Sequence, residues 1–253
     1  MHIIDLSALI APGPEGAPPF ERTGITYSTH AAGAAQAQAI LQVPPQVFCN
    51  GEGWATEEFT KLGTHSVTHV DAPWHYNRQI QGQRAQTVDE LPLEWFFGDG
   101  AVLDMAHKAD GEAMAVGEAQ AELARIGYTL KPLDIVLVRM GRDTFYGQPD
   151  YAFRGCGVTA EATHWLYEQG VRVMGIDAWG GDAPLDGQAK QVAAQQKPGV
   201  FWAAHQADLP YVQIERLVNL GGLPPFGFKV ACFPLKIKGG SAGPTRAVAI
   251  LPD

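Results

Sequence analysis

His65-Ser66-Val67-Thr68-His69-Val70-Asp71-Ala72-Pro73-Trp74-His75 places three imidazoles and one carboxylate within eleven residues. Its spacers are small, β-branched, aromatic or proline, so the segment does not read as a solvated loop. If residues 65–71 are extended, side chains alternate between faces, and His65, Val67, His69 and Asp71 share one of them. Positions two apart on a strand face lie about 6.6–6.8 Å apart at the backbone, so neighbouring imidazoles and the carboxylate can converge on one cation. Val and Thr disfavour a helix here, and Pro73 ends the strand and re-aims Trp74 and His75. Imidazole and carboxylate without thiolate suit Zn²⁺, Mn²⁺ or Fe²⁺. A single histidine in such a setting is most simply a hydrogen-bonded core residue. Four ionisable groups this close each need a partner, which favours a metal.

The rest of the chain supports an α/β protein. Its 253 residues suit one domain, 1–253, and 46% hydrophobic content is enough for a sizeable core. The 29 Gly and 18 Pro imply tight turns between short elements. A net charge of −9 without any Lys/Arg run argues against nucleic acid or an anionic membrane as partner. Cys49, Cys156 and Cys232 are odd in number and far apart, and read as buried thiols of a reducing compartment. The N-terminal residues lack a basic, apolar leader pattern, and no apolar run is long enough for a membrane span, so the expected location is cytoplasmic.

In chain order, strands are expected over 2–10, 101–105, 134–140 and 171–177, with helices over 111–126 and 158–169. Thr159 is the candidate N-cap of the second helix and Gly170 its stop. Strand, helix, strand at this spacing is a βαβ unit. Residues 13–60 read as mostly irregular, with a helix around 32–41, and 229–237 with 245–251 as an antiparallel pair. Asp177 ends a strand where α/β proteins place ligands; it either supports the metal histidines or caps the next turn.

His205 and Glu215 are structural residues if taken alone, and the natural remaining ligands if taken with the histidine cluster. Such a set can hold one metal with an open position, or two bridged by a carboxylate. Either arrangement makes hydroxide available at neutral pH to attack a carbonyl. His75, beyond the Pro73 bend, is assigned the passage of a proton to the leaving nitrogen. Trp74, Trp54 and Trp179 either stack on a flat substrate or pack in the core.

The 65–75 segment resembles the HxGTHxDxPxH signature of the cyclase superfamily of metal-dependent amidohydrolases, which includes bacterial kynurenine formamidase and isatin hydrolase. Val67 stands where the pattern has Gly. His205 and Glu215 resemble the family's downstream His and Glu at a slightly shorter spacing, and 175–177 and 241–246 extend the similarity. The resemblance implies a single-domain swivelling β/β/α fold of the kynurenine formamidase-like type. It also implies one or two divalent ions, zinc or manganese, and hydrolysis of a C–N bond in a linear, arylformamide-like or cyclic, isatin- or imide-like amide. On the matching positions it implies metal roles for His65, His69, Asp71, His205 and Glu215 and an acid/base role for His75. The implied assembly is a homo-oligomer, dimer or tetramer, acting on a small-molecule amide. Residues 178–182 depart from the kynurenine formamidase pattern, which leaves N-formylkynurenine unassigned.

Two other readings fit parts of the pattern. His69, Asp71 and a distal His205 follow the order of an iron oxygenase's two-His-one-carboxylate triad. Glu215-Arg216 stand where such an enzyme would carry its co-substrate anchor, and His65 would be superfluous. The second is a non-catalytic metal- or ligand-binding homologue, since intact ligands do not by themselves give turnover.

Overall fold

A computed structural model describes residues 1–12 and 22–252. The chain divides into two compact units, one of Met1–Leu9 with Thr64–Asp253 and the other Ile10–Gly63.

Among the described residues, the larger unit is built on a nine-stranded sheet. Its order is His2–Asp5, Val248–Leu251, Phe226–Ala231, Phe97–Asp104, Ile135–Arg139, Val173–Ile176, Val212–Glu215, His69–Asp71, Ala242–Pro244. The run from Phe97–Asp104 to Val212–Glu215 is parallel, and the remaining pairs are antiparallel. Parallel neighbours need crossovers, and the helices Val116–Ile126, Ala160–Glu168 and Leu185–Gln195 lie in those connections.

The central strands are covered on both faces, which explains their unbroken apolar runs. Val136 and Val138 enter one buried cluster with Met174, Ile176, Leu123 and Leu166, while Ile135 and Leu137 enter the other with Val173, Ile214, Leu217 and Phe228. Each such side chain contributes about 1.5–3 kcal/mol when fully buried. Gly175 sits inside this packing because a Cβ there would lie 2.7 Å from Leu217 Cδ1 and 2.8 Å from Leu137 Cδ2.

The local signals act as their chemistry requires. Thr159 caps Ala160–Glu168 by accepting the Ala162 N–H, and Gly127 closes Val116–Ile126 in the left-handed region at φ 70°. The 2–10 strand is shorter than expected, His2–Asp5, and the terminal antiparallel pair is Phe226–Ala231 with Val248–Leu251. Leu185–Gln195 has no counterpart in the sequence reading. Its first buried position is Gln188, so it carries too narrow an apolar stripe to betray itself.

The extended reading of 65–71 needs correction: the strand is only His69–Asp71. Before it, side chains compete with the ladder for backbone groups. Thr68 Oγ1 accepts the Ala8 N–H at 2.8 Å and donates to the Arg216 carbonyl at 2.6 Å, and His69 Nδ1 lies 2.7 Å from the Val67 carbonyl.

The 10–63 unit is less irregular than its composition suggests. Gly24–Ser28 pairs antiparallel with Thr56–Lys61, and the helix His30–Leu41 is capped by Thr29. The part of the irregular stretch at 13–21 lies outside the described residues. Cys156 and Cys232 are buried as expected, but Cys49 is exposed, on a short turn that offers no core to enter.

Asp177 neither faces the histidines nor caps its own turn. Its carboxylate accepts the Met140 and Gly141 N–H groups, the latter at 3.0 Å, tying together the ends of two parallel strands. Burial, the largest influence, pushes its carboxyl up from 3.8 to about 6. A folded value above the unfolded one gives stability that is complete below pH ~4 and lost as pH rises through about 6. The shift corresponds to about 3 kcal/mol. Asp177→Asn removes this titration. Urea melts are therefore expected to show the wild-type advantage over the variant shrinking between pH 4 and 7; a pH-independent difference contradicts the assignment.

Candidate metal centre

The sheet register builds half of the site. Glu215 is the direct antiparallel partner of His69, and Gln213 that of Asp71, so the two carboxylates and His69 project from one face. The rest arrives on turns. His65 precedes the strand, the short helix Pro73–Tyr76 carries His75, and His205 lies in the turn before Val212–Glu215.

Of the residues expected to bind metal, the structure brings all five together. His65 Nδ1 lies 2.8 Å from Asp71 Oδ1, and His69 Nε2 lies 3.1 Å from the same oxygen and 3.7 Å from Glu215 Oε2. His205 Nε2 is 3.3 Å from Glu215 Oε1 and 3.8 Å from Asp71 Oδ2. Among the described residues, two triads of ligand atoms fall within 4.8 Å: His65, Asp71, His75 and His69, Asp71, Glu215. Asp71 belongs to both.

The donor set fits a cation. Asp71 is fully buried, yet neither carboxylate oxygen accepts a well-formed hydrogen bond. A carbonyl can only accept, so His69 carries its proton on Nδ1, facing Val67, and turns a bare Nε2 toward the carboxylates. His205 does the same, with Nδ1 2.6 Å from Asp182 Oδ2. Lone pairs thus face lone pairs around Asp71, an arrangement that requires positive charge between them.

Without an ion that positive charge falls to the imidazoles as protons, and the titration directions express the same demand. Burial opposes the charged form of His69 and of His205, but neighbouring carboxylates raise both, Asp71 foremost for His69 and Asp182 for His205. Burial alone would raise Asp71; the charge of His69, with His205 and His65, holds it well below the usual carboxylate range. His75 differs. Burial is its largest influence and lowers it to about 4, so it is a neutral imidazole at neutral pH.

His75 stands beside the ligand atoms. Its ring centre is 4.0 Å from that of His65 and 5.9 Å from that of His205. Trp74, next to it on the short helix, is exposed. Trp179 is half-buried with the Arg216 guanidinium 5.2 Å from its ring centre. Trp54 belongs to the 10–63 unit, where its indole N–H donates to Gln36 at 2.8 Å.

The tryptophan that touches the centre is Trp202, which sequence reasoning did not single out. Its indole stacks on His205 at 4.4 Å and 17°, and meets His75 edge-on at 5.0 Å. Its backbone is in the left-handed region, φ 61°, held by donation of its N–H to Gln188 Oε1. Three further supports were missed. Ser241 Oγ sits 3.1 Å from His65 Nε2, Gly181 N–H donates to Glu215 Oε1 at 2.9 Å, and Asp182 binds His205. In the sequence, Ser241 falls in the 241–246 similarity, and the Gly-Gly-Asp run at 180–182 offered a hint through the close backbone approach that glycine permits.

Gly181 illustrates how tight that approach is. A Cβ there would fall 1.8 Å from Gln213 Oε1, so the buried glutamine has to move. Gly181→Ala is expected to destabilise the protein by about 1–3 kcal/mol, read as a lower urea midpoint. An unchanged midpoint would show that Gln213 yields freely.

A family model described as "Putative cyclase" matches residues 4–183. A kynurenine formamidase from Salinibacter ruber is 33% identical over 193 residues, 74% of this chain and 76% of the relative. The isatin hydrolase A of Labrenzia aggregata, solved with benzyl benzoate, superposes with a TM-score of 0.74 at 24% identity over 100% of this chain and 94% of its own. An isatin hydrolase bound to the product analogue thioisatinate gives 0.74 at 21% identity over 99% and 92%. These likenesses show the fold to be the mixed α/β fold of that group. No helix among the described residues is long and apolar enough to cross a membrane.

Proposed function

Since the chain belongs to the cyclase family, we propose that it is a metal-dependent hydrolase of a carbon–nitrogen bond in a linear, arylformamide-like or cyclic, isatin- or imide-like amide. The observation that carries this reading is Asp71: a buried carboxylate without a well-formed hydrogen bond, faced by three imidazoles. The kinship with a formamidase and the fold of isatin hydrolases support the amide as substrate class.

His65, His69, Asp71, His205 and Glu215 would hold the ion, with zinc or manganese matching the nitrogen and oxygen donors. A divalent cation supplies Lewis acidity to a carbonyl and lowers the pKa of water toward ~7. The protein's own groups do the rest. His75, neutral through burial, accepts the proton of the attacking water and delivers it to the nitrogen as the C–O bond forms and the C–N bond breaks. The Tyr76 ring meets His205 edge-on at 5.2 Å, and burial keeps its phenol protonated. Trp202 walls the centre beside His75 and His205 and offers an apolar surface to a flat substrate. Two triads sharing Asp71 suit either one ion or two. A single functional domain over 1–253, a cytoplasmic setting and a homo-oligomer complete the reading.

The iron oxygenase reading is weaker because Glu215 and His65 join the ligand cluster and leave no three-residue facial set standing apart. The deciding assay measures hydrolysis of formanilides, isatin, cyclic imides and lactones by zinc- and manganese-loaded protein, before and after chelation. Amide turnover that vanishes with the chelator and returns with metal supports the proposal. Bound metal without turnover on any substrate contradicts it and favours a binding protein.

A further inference from the structure

We infer that Asp182 is a positioning residue that decides which nitrogen of His205 faces the metal centre. The inference rests on the metal-centre reading above and adds a determinant of its affinity. Asp182 is nearly buried and gathers three donors. Its Oδ1 accepts the Ala204 N–H at 3.0 Å, and its Oδ2 accepts the His205 N–H at 3.2 Å and the His205 Nδ1–H at 2.6 Å.

His205 needs this support more than the strand-borne ligands do. His69 and Asp71 are held by strand pairing on both sides, and Glu215 by its own strand. His205 lies in a turn, so its ring is oriented by side-chain contacts alone: Asp182 at Nδ1, Trp202 stacked on one face and Tyr76 at an edge. A neutral imidazole has two tautomers. With the proton on Nδ1, Nε2 offers its lone pair toward Glu215 and Asp71. With the proton on Nε2, the ring would donate to Glu215 Oε1, 3.3 Å away, and close the ligand position. Asp182 disfavours the second state, because its Oδ2, already accepting the His205 N–H, faces Nδ1 as an acceptor and calls for a donor there. Its negative charge also makes Nε2 a better electron donor.

Adjacent residues of one turn therefore grip both downstream ligands: Gly181 holds Glu215 and Asp182 holds His205. Gln188 laces the same turn to the next. Its amide donates to the Ala183 carbonyl, and its oxygen accepts the Trp202 N–H. The Leu185–Gln195 helix thus serves the centre through one buried side chain.

Asp182→Asn keeps an acceptor but loses the charge, and Asp182→Ala loses both. Zinc affinity is measured by chelator competition on wild type and both variants, with thermal melts of the metal-free proteins alongside. The expected result is a 10–100-fold loss of affinity in Asp182→Ala and a smaller loss in Asp182→Asn. In ¹⁵N-histidine NMR of the zinc-loaded proteins, the hydrogen-bonded Nδ1–H signal of His205 should be present in wild type, shifted in Asp182→Asn and lost in Asp182→Ala. Lower melting temperatures with unchanged affinity would reduce Asp182 to a turn-former and overturn the inference. Wild type that binds no zinc in the same titration would overturn the centre itself and this inference with it, so the two failures are distinguishable.

Discussion

Asp71→Asn is expected to abolish metal binding while leaving the protein folded. The carboxylate is fully buried, lies within 4 Å of three imidazole nitrogens and contributes to both candidate triads. Residues that merely orient ligands change affinity by about 10–100-fold. Removing the shared charged ligand should therefore cost more than about 100-fold in affinity. In the metal-free protein the change removes a buried charge, and His69 can answer by giving up the proton that this charge favours, so the fold survives. An ion at 1,000 times its Kd stabilises wild type by about 4 kcal/mol. Thermal melts with and without zinc should show that gain in wild type and its absence in the variant. A metal-induced shift that survives the substitution would remove Asp71 from the centre.

The second large effect falls on turnover alone. His75→Ala is expected to lower kcat by about 10²–10⁴-fold, the usual contribution of a positioned acid or base. Metal content per chain should not change. The reason is the environment of His75: burial makes it neutral at neutral pH, and its ring lies against His65 rather than inside the His69, Asp71, Glu215 triad. Steady-state kinetics with metal analysis on the same preparation separates the roles. A drop in bound metal would make His75 a ligand within the His65, Asp71, His75 triad, and an unchanged kcat would leave it a packing residue.

Much of this was legible in the sequence because the ligands cluster. Three imidazoles and a carboxylate within eleven residues stand out against any background, and they converge in the structure. They do so by a different route from the one their spacing suggests. The face-sharing argument holds for His69 and Asp71, which lie in a strand, but His65 reaches Asp71 from a turn. The buried strands around Val136 and Met174 were legible from their apolar runs, and the Ala160–Glu168 helix from Thr159 and Gly170.

The supports were not legible, for a physical reason. Asp182, Gln188 and Trp202 act through contacts set by how the loops fold over the strand ends, and residue type and spacing carry no record of that course. A tryptophan at a left-handed φ has no sequence signature, since the usual marker of that conformation is glycine or asparagine. The three tryptophans singled out from sequence were chosen as surfaces on which a flat substrate could stack. The one in ring contact with His205 and His75 was a fourth.

The central claim is that Asp71, His65, His69, His205 and Glu215 enclose a divalent cation. Crystals grown with zinc and measured at the zinc absorption edge test it directly. The account predicts an anomalous peak about 2.0–2.2 Å from Asp71 and from imidazole nitrogens of this set. An empty map there, with the Asp71 oxygens satisfied by protein hydrogen bonds instead, would contradict it.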